Sequence, residues 1–229
     1  ILPLPAEEES GLLHAPLSDR PRPLAELLAP LRPGQLVCAG MAGPVLTALA
    51  AERGLVLQDY FAREELAVAN AVPTAEGAIQ IALEELPITL HGARVLVIGF
   101  GRVGKALAQR LAGLGARVSV AARKWSDLAW AESCGYCGER TEQLAGWLCG
   151  YDLVVNTVPA PVLAELADLK QGCLVIDLAS RPGGVDFDAA AQLGVKAIWA
   201  LSLPGKVAPV TAGRCIQTTI YNILREMGV

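Results

Sequence analysis

Charge is scarce in this 229-residue chain: Asp, Glu, Lys and Arg together make up 18% of it. The formal charge is −4, and no cluster of Lys and Arg offsets it, which excludes nucleic acid as a partner. Histidine is rarer still, with only His14 and His91, so the usual general base is nearly missing. No apolar run approaches the roughly 18 to 20 residues of a membrane span. The N-terminus, ILPLPAEEES, lacks the basic start and apolar middle of a signal peptide, and the chain is read as a cytoplasmic protein with reduced thiols. It opens on apolar residues that read as the end of a strand, and an earlier part of the first domain is expected before residue 1. The six cysteines (Cys38, Cys134, Cys137, Cys149, Cys173, Cys215) do not form a compact disulfide framework. Cys134 and Cys137 make a CxxC, but no second CxxC or CxxH answers it, so no metal site is expected and buried reduced thiols are the plainer reading.

What is present is apolar residue in quantity, 53% of the chain, enough for a sizeable core and a compact enzyme. Arg94 to Gly115 reads RVLVIGFGRVGKALAQRLAGLG. An aliphatic run without polar interruption suits a strand buried on both faces of a parallel sheet. Gly99, Gly101 and Gly104 follow at GxGxxG spacing, enclosing Arg102 and Val103, and a helical pattern begins at Lys105. Strand, glycine turn, helix and a second strand at Arg117 to Ala121 arrive in the order that a dinucleotide site requires, with the diphosphate at the helix N-terminus.

The remaining pattern is α/β alternation. Residues 1 to 72 read as a small α/β unit: helix Leu24 to Leu31, strand Gln35 to Cys38, helix Pro44 to Arg53 and strand Leu55 to Gln58. A helix from Pro73 to Leu86 follows, with Pro73 blocking helix before it. Because this helix feeds the first strand of the main sheet, its N-terminus points toward the ligand edge, which makes Asn70, Thr74 and Glu76 cleft candidates and demotes His91. Helices are expected over Ser126 to Ser133, Thr141 to Cys149, Pro161 to Leu166 and Phe187 to Leu193, alternating with strands near Tyr136 and at Leu153 to Asn156, Cys173 to Asp177 and Lys196 to Trp199. A long helix, Pro209 to Met227, ends the chain and is expected to pack back on the first domain. The fold class is therefore α/β: a Rossmann-type doubly wound parallel sheet over 73–206, with a smaller α/β domain from 1–72 plus 207–229.

An Asp or Glu about 20 residues past the first glycine would hold the ribose 2′-hydroxyl of NAD. Here the second strand ends in Ala121, Ala122, Arg123 and Lys124, followed by Ser126; the two cations and the hydroxyl favour the 2′-phosphate of NADP, with NAD possible. Asn156, Thr157, Val158 and Pro159 end the fourth strand at the same edge and are placed beside the nicotinamide ribose, although a turn after a strand also favours Asn and Pro. Asp177, Leu178, Ser180 and Arg181 lie in DLASRPGG, where Arg181 offers a fork for a carboxylate. Lys206 in LPGK and Thr211 beyond it complete the substrate set with Asn70 and Thr74. For proton transfer, Glu76, Asp177, Tyr60 and Lys206 stay open, with Glu76 and Lys206 taken forward.

Together NAVPTAEGAI, HGARVLVIGFGRVGKALA, VAAR, NTVP, DLASRPGGVDF and LPGKVAPVTAG closely resemble the A-subunit family of bacterial dipicolinate synthases, in order along nearly the whole chain. The resemblance implies formation of dipicolinate, the calcium-binding pyridine dicarboxylate of endospores, from a dihydrodipicolinate-type precursor with a nicotinamide cofactor. It implies a partner as well, the smaller flavoprotein-like B subunit of such synthases, in an oligomer in the sporulating mother cell. Two other readings stay in view: an alanine or 2-hydroxyacid type of dehydrogenase, and a nucleotide-binding scaffold whose partner performs the chemistry.

Overall fold

The computed structural model describes residues 1–8, 11–144, 146–163 and 166–229. The chain divides into two compact units, Ile1–Ala69 with Gly213–Val229, and Asn70–Ala212.

In the first unit, helix α1 (Leu24–Leu28), strand β1 (Leu36–Ala39), helix α2 (Pro44–Glu52) and strand β2 (Val56–Asp59) follow one another. β1 and β2 pair in parallel. Val37, Ala39, Leu46, Ala50 and Leu55 close one core between sheet and helices. A second cluster joins Cys38, Tyr60 and Leu66 to Ile220 and Ile223 of the terminal helix, so that helix packs back onto the first unit as its sequence suggests. Arg63 adds a two-pronged ion pair to Glu226, at 2.8 and 2.6 Å. Tyr60 is 2% exposed, its hydroxyl donates to the Leu2 carbonyl at 3.1 Å, and burial holds its pKa up to about 12, which makes it a core residue and not an acid/base.

Helix α3 (Glu64–Glu85) corrects one expectation: it runs straight through Pro73, which sits inside it. The missing proline N–H takes away one rung, and Thr74 Oγ1 donates back to the Asn70 carbonyl at 2.7 Å in the same stretch. Ala75, Ala78 and Ala82 present a small-residue face to the main sheet, and that burial outweighs the local penalty. The unbroken helix is also long and apolar enough, by length and composition, to cross a membrane, a property hidden when the sequence is cut at Pro73. Its alanine face belongs to the core of the second unit.

The second unit is built on strands β3 (Arg94–Ile98), β4 (Arg117–Ala122), β5 (Cys137–Arg140), β6 (Leu153–Asn156), β7 (Leu174–Asp177) and β8 (Lys196–Trp199). They form one parallel sheet in the order β5-β4-β3-β6-β7-β8. Alternate residues feed opposite faces. Val95, Val97, Val120, Val155 and Ile176 meet α3, helix α4 (Arg102–Gly113) and helix α5 (Trp125–Ser133). Leu96, Ile98, Val154 and Val175 meet Leu144, Leu148, Leu163 and helix α6 (Phe187–Gln192) on the other face.

That other face departs from expectation. Thr141 to Cys149 is not one helix; short 3-10 turns at Thr141–Gln143 and Leu148–Gly150 deliver Leu144 and Leu148 to the core, and Ala145 lies outside the described residues. The expected helix Pro161 to Leu166 includes Ala164 and Glu165, which also lie outside them; Leu163 instead bridges Val185. LPGK lies in a short helix, α7 (Leu203–Val207), and α8 (Pro209–Glu226) follows it. The cysteines are only partly as expected: Cys38 and Cys173 are buried, Cys215 is intermediate, and Cys134, Cys137 and Cys149 are exposed.

Candidate functional site

The strand order of the second unit reverses between β3 and β6, the position where open α/β sheets split to form a binding crevice. Two loops meet there. Gly99 adopts φ +94°, and a Cβ on it would lie 2.4 Å from Thr157 Oγ1. Thr157 reciprocates, its N–H and hydroxyl both donating to the Ile98 carbonyl, at 2.9 and 2.8 Å. At Gly104 a Cβ would fall 2.0 Å from the Gly99 carbonyl oxygen, so only glycine lets α4 lie this close to its strand. A Cβ at Gly101, the residue before α4, would meet nothing within 4 Å. The turn is thus tight at Gly99 and Gly104, where the fold requires it, and open at Gly101, an arrangement that a dinucleotide would fit. Arg102 is exposed and Val103 half-buried in the first turn of α4.

Asn156 and Asp177 are 0% exposed, and their side chains face inward. Asn156 Nδ2 donates to Asp177 Oδ1 at 2.8 Å and to the Val158 carbonyl at 2.9 Å, while its Oδ1 accepts from Val158 N–H at 3.0 Å. Asp177 also accepts from the N–H groups of Ala179, Gly184 and Val185, at 3.0, 2.7 and 3.2 Å. A buried carboxylate is tolerable only with such a full set of donors. Its place in the network takes Asp177 off the list of proton-transfer groups and makes it the post that shapes the DLASRPGG loop. Gly184 is pressed against this post, with Asn156 Nδ2 only 2.4 Å from where a Cβ would stand. Trp199 Nε1 donates to the Ala179 carbonyl at 2.9 Å and its ring stacks on Phe187, fixing the loop from the β8 side. Sequence reasoning named Asn156 and Asp177 for contact; it missed Trp199, whose signal was an aromatic at the end of the last strand.

The other expected residues take three kinds of place. Thr157, Val158 and Leu178 are half-buried on the rim, and Pro159, Ser180 and Arg181 are exposed. Ala122 is buried at the end of β4, with Arg123, Lys124 and Ser126 exposed after it. Lys206 and Thr211 are exposed on α7 and α8, and Lys206 has no ion pair among the described residues.

On α3, Glu76 pairs with Arg110 of α4 at 3.5 Å, two helical turns beyond Gly104. The Asn70 Oδ1 is buried and without a hydrogen-bond partner among the described residues, and Thr74 is occupied by its backbone bond. His91 abuts Gly115 at the opposite end of the sheet, and His14 lies in the first unit near Glu8.

Comparison with known proteins matches two stretches of the chain to two different family models. Residues 1–61 match the family model for the N-terminal domain of the dipicolinate synthase A subunit. Residues 63–186 match that of the D-isomer specific 2-hydroxyacid dehydrogenase NAD binding domain. The dipicolinate synthase A subunit of Bacillus subtilis (strain 168) is 35% identical over 230 residues, which cover 99% of this chain and 77% of that protein. The chain belongs to the family of dipicolinate synthase A subunits. Crystal structures agree: the A subunit from Bacillus halodurans superposes with a TM-score of 0.90 at 35% identity, covering 97% of this chain and 78% of that one. Its counterpart from Bacillus subtilis gives 0.92 at 34% identity, covering 99% and 77%. Membership in the family and the matching NAD-binding domain make the chain a dehydrogenase-type subunit with a nicotinamide cofactor.

Proposed function

We propose that this chain is the catalytic A subunit of a dipicolinate synthase: with a flavoprotein-like B subunit it oxidises a dihydrodipicolinate-type precursor to pyridine-2,6-dicarboxylate, using NADP as hydride acceptor. The observation that carries the reading is the joint at Gly99, Gly104 and Thr157, which leaves an open glycine turn at the switch point of the sheet. Sporulation, the mother-cell cytoplasm and an oligomeric assembly belong to the same proposal through the family.

When bound, the dinucleotide supplies the hydride acceptor. Gly99, Gly101, Arg102, Val103 and Gly104 hold its diphosphate. Ala122, Arg123, Lys124 and Ser126 receive the adenosine ribose, where two cations and no acid select the 2′-phosphate. Asn156 and Asp177 brace the rim from within, and Thr157, Val158, Pro159 and Leu178 form it. Arg181 and Lys206 are the cations for the two substrate carboxylates, with Asn70, Thr74, Ser180 and Thr211 as polar neighbours. Aromatisation also releases a proton; Glu76, which pairs with Arg110, and Lys206 are the two groups put forward to take it, Lys206 only in its neutral form, in which case Arg181 is left as the cation for the substrate. The domain assignment put forward with this is 1–72 with 207–229 against 73–206; the compact unit Asn70–Ala212 holds every one of these residues, Asn70 and Thr211 included.

The test is an assay of the purified chain, alone and with its B-type partner, supplied with a dihydrodipicolinate-type precursor and either NADP or NAD, following reduced nicotinamide and the aromatic diacid together. Equal formation of both with NADP is expected. Oxidation of a 2-hydroxy acid or alanine without any partner would replace this reading by the hydroxyacid or alanine type. Nucleotide binding with no turnover in the complex would leave a scaffold.

A further inference from the structure

Three cations and an indole gather at the C-terminal end of the β4–β5 edge. Arg140 stands opposite Ala122 in the parallel ladder, on the strand beside the one that delivers Arg123 and Lys124. Its guanidinium lies over the ring of Trp125, with Cζ 4.8 Å from the centroid. It also pairs with Glu142, Nη2 and Nε both reaching Oε2 at 2.7 and 2.8 Å. Trp125 opens α5 and is 72% exposed, an apolar cost that the core of this unit does not explain. Trp125, Arg140, Glu142 and Gln143 line an open surface depression of about 520 Å³.

The charges in this corner act on one another. The Arg140 hydrogen bond is the main reason that the Glu142 carboxyl lies below its ordinary range, and Arg123 pulls in the same direction. Arg140 holds the Glu142 carboxylate directly, and Arg123, just past the end of the neighbouring strand β4, acts on the same carboxylate at longer range. An exposed carboxylate–arginine pair is weakly bound, whereas a doubly charged phosphate accepts the guanidinium fork more strongly. Stacking on Trp125 keeps that fork planar and aimed when the partner changes.

We propose that Arg140, stacked on Trp125 and neutralised by Glu142 in the free protein, is a specificity-determining residue that binds the 2′-phosphate of an NADP-type dinucleotide together with Arg123. This rests on the NADP reading given above. Glu142 then acts as a built-in competitor: it disfavours any ligand whose 2′ position lacks charge enough to displace it.

The test uses the full chain with 2′,5′-ADP and 5′-AMP, which differ in the 2′-phosphate alone, read by calorimetry and by tryptophan fluorescence. Arg140→Gln is expected to weaken 2′,5′-ADP about tenfold and leave 5′-AMP unchanged. Glu142→Gln, which keeps the hydrogen bond to Arg140 but drops the charge, is expected to tighten 2′,5′-ADP several-fold. Trp125→Phe should remove most of the fluorescence response. A role confined to holding the loop would move both ligands in one direction in both variants, and that result overturns the proposal. If the wild-type chain prefers 2′,5′-ADP, Arg123→Gln abolishes the preference and neither Arg140→Gln nor Glu142→Gln alters it, Arg140 has no such role while the NADP reading stands. If the wild-type chain does not distinguish the two ligands, the NADP reading fails and this inference with it.

Discussion

Asn156 and Asp177, the last residues of neighbouring strands β6 and β7, share a 2.8 Å hydrogen bond and are wholly buried. Through it the rim loop after β6 and the DLASRPGG loop after β7 are held as one piece. Asp177→Asn would set an amide N–H against one of its present donors, and Asn156→Ala would leave the carboxylate short of a donor. Each is expected to lower stability by about 3 kcal/mol, read as a shift of the urea midpoint. A midpoint within the error of wild type would mean that the network is dispensable.

Glycine at 104 is a packing requirement. With the Gly99 carbonyl oxygen 2.0 Å from the Cβ position, Gly104→Ala must push α4 off the turn. Loss of dinucleotide binding by at least tenfold is expected, with a lowered melting temperature. By contrast Gly101→Ala meets no protein atom and should keep the fold while weakening the dinucleotide, because the methyl group occupies the approach of the diphosphate. Circular dichroism melts beside calorimetry would separate the two effects.

Acid lability has an assignable contributor in Asp152. Burial pushes its carboxyl up, but hydrogen bonds from Lys170 and the Arg94 N–H outweigh that and leave it below the ordinary carboxylate range. A depressed folded pKa contributes stability that is full above the unfolded value, about 4, and is lost as pH falls through the folded one. Unfolding followed between pH 6 and 2.5 should therefore show a shallower acid loss in Asp152→Asn than in wild type. Parallel acid profiles would remove Asp152 from the account.

Thiol reactivity should divide the cysteines by burial. Desolvation holds the Cys173 thiol up to about 12 and raises that of Cys38, so neither supplies thiolate near neutral pH. Alkylation of the native protein at pH 8, mapped by mass spectrometry, is expected to label Cys134, Cys137 and Cys149 first and to spare Cys38 and Cys173 until denaturant is added. Rapid labelling of Cys173 would indicate an open sheet.

The parallel sheet was readable because each strand is a short aliphatic run followed by turn residues, and β3, β6 and β8 lie where the sequence puts them. The glycine turn was equally plain, since its three glycines do three different things that only spacing reveals. What was hidden depends on tertiary context. Pro73 stays helical because an alanine face is buried beneath it, and Leu144 and Leu148 fill the core from short turns that helical periodicity mimics. In the site, residue type pointed to Asn156 and Asp177 without saying that each faces the other. Arg140 escaped notice because its partners, Trp125 and Glu142, are brought together by strand pairing and a turn, not by any motif.

The central claim is that the turn from Gly99 to Gly104 holds the diphosphate of a nicotinamide dinucleotide. Calorimetric titration of the folded chain with NADP and NAD, beside Gly104→Ala, addresses it directly. The account predicts saturable one-site binding, tighter for NADP, that the variant loses. Absence of any heat of binding for either dinucleotide at millimolar ligand, with the wild-type protein folded by circular dichroism, would contradict it.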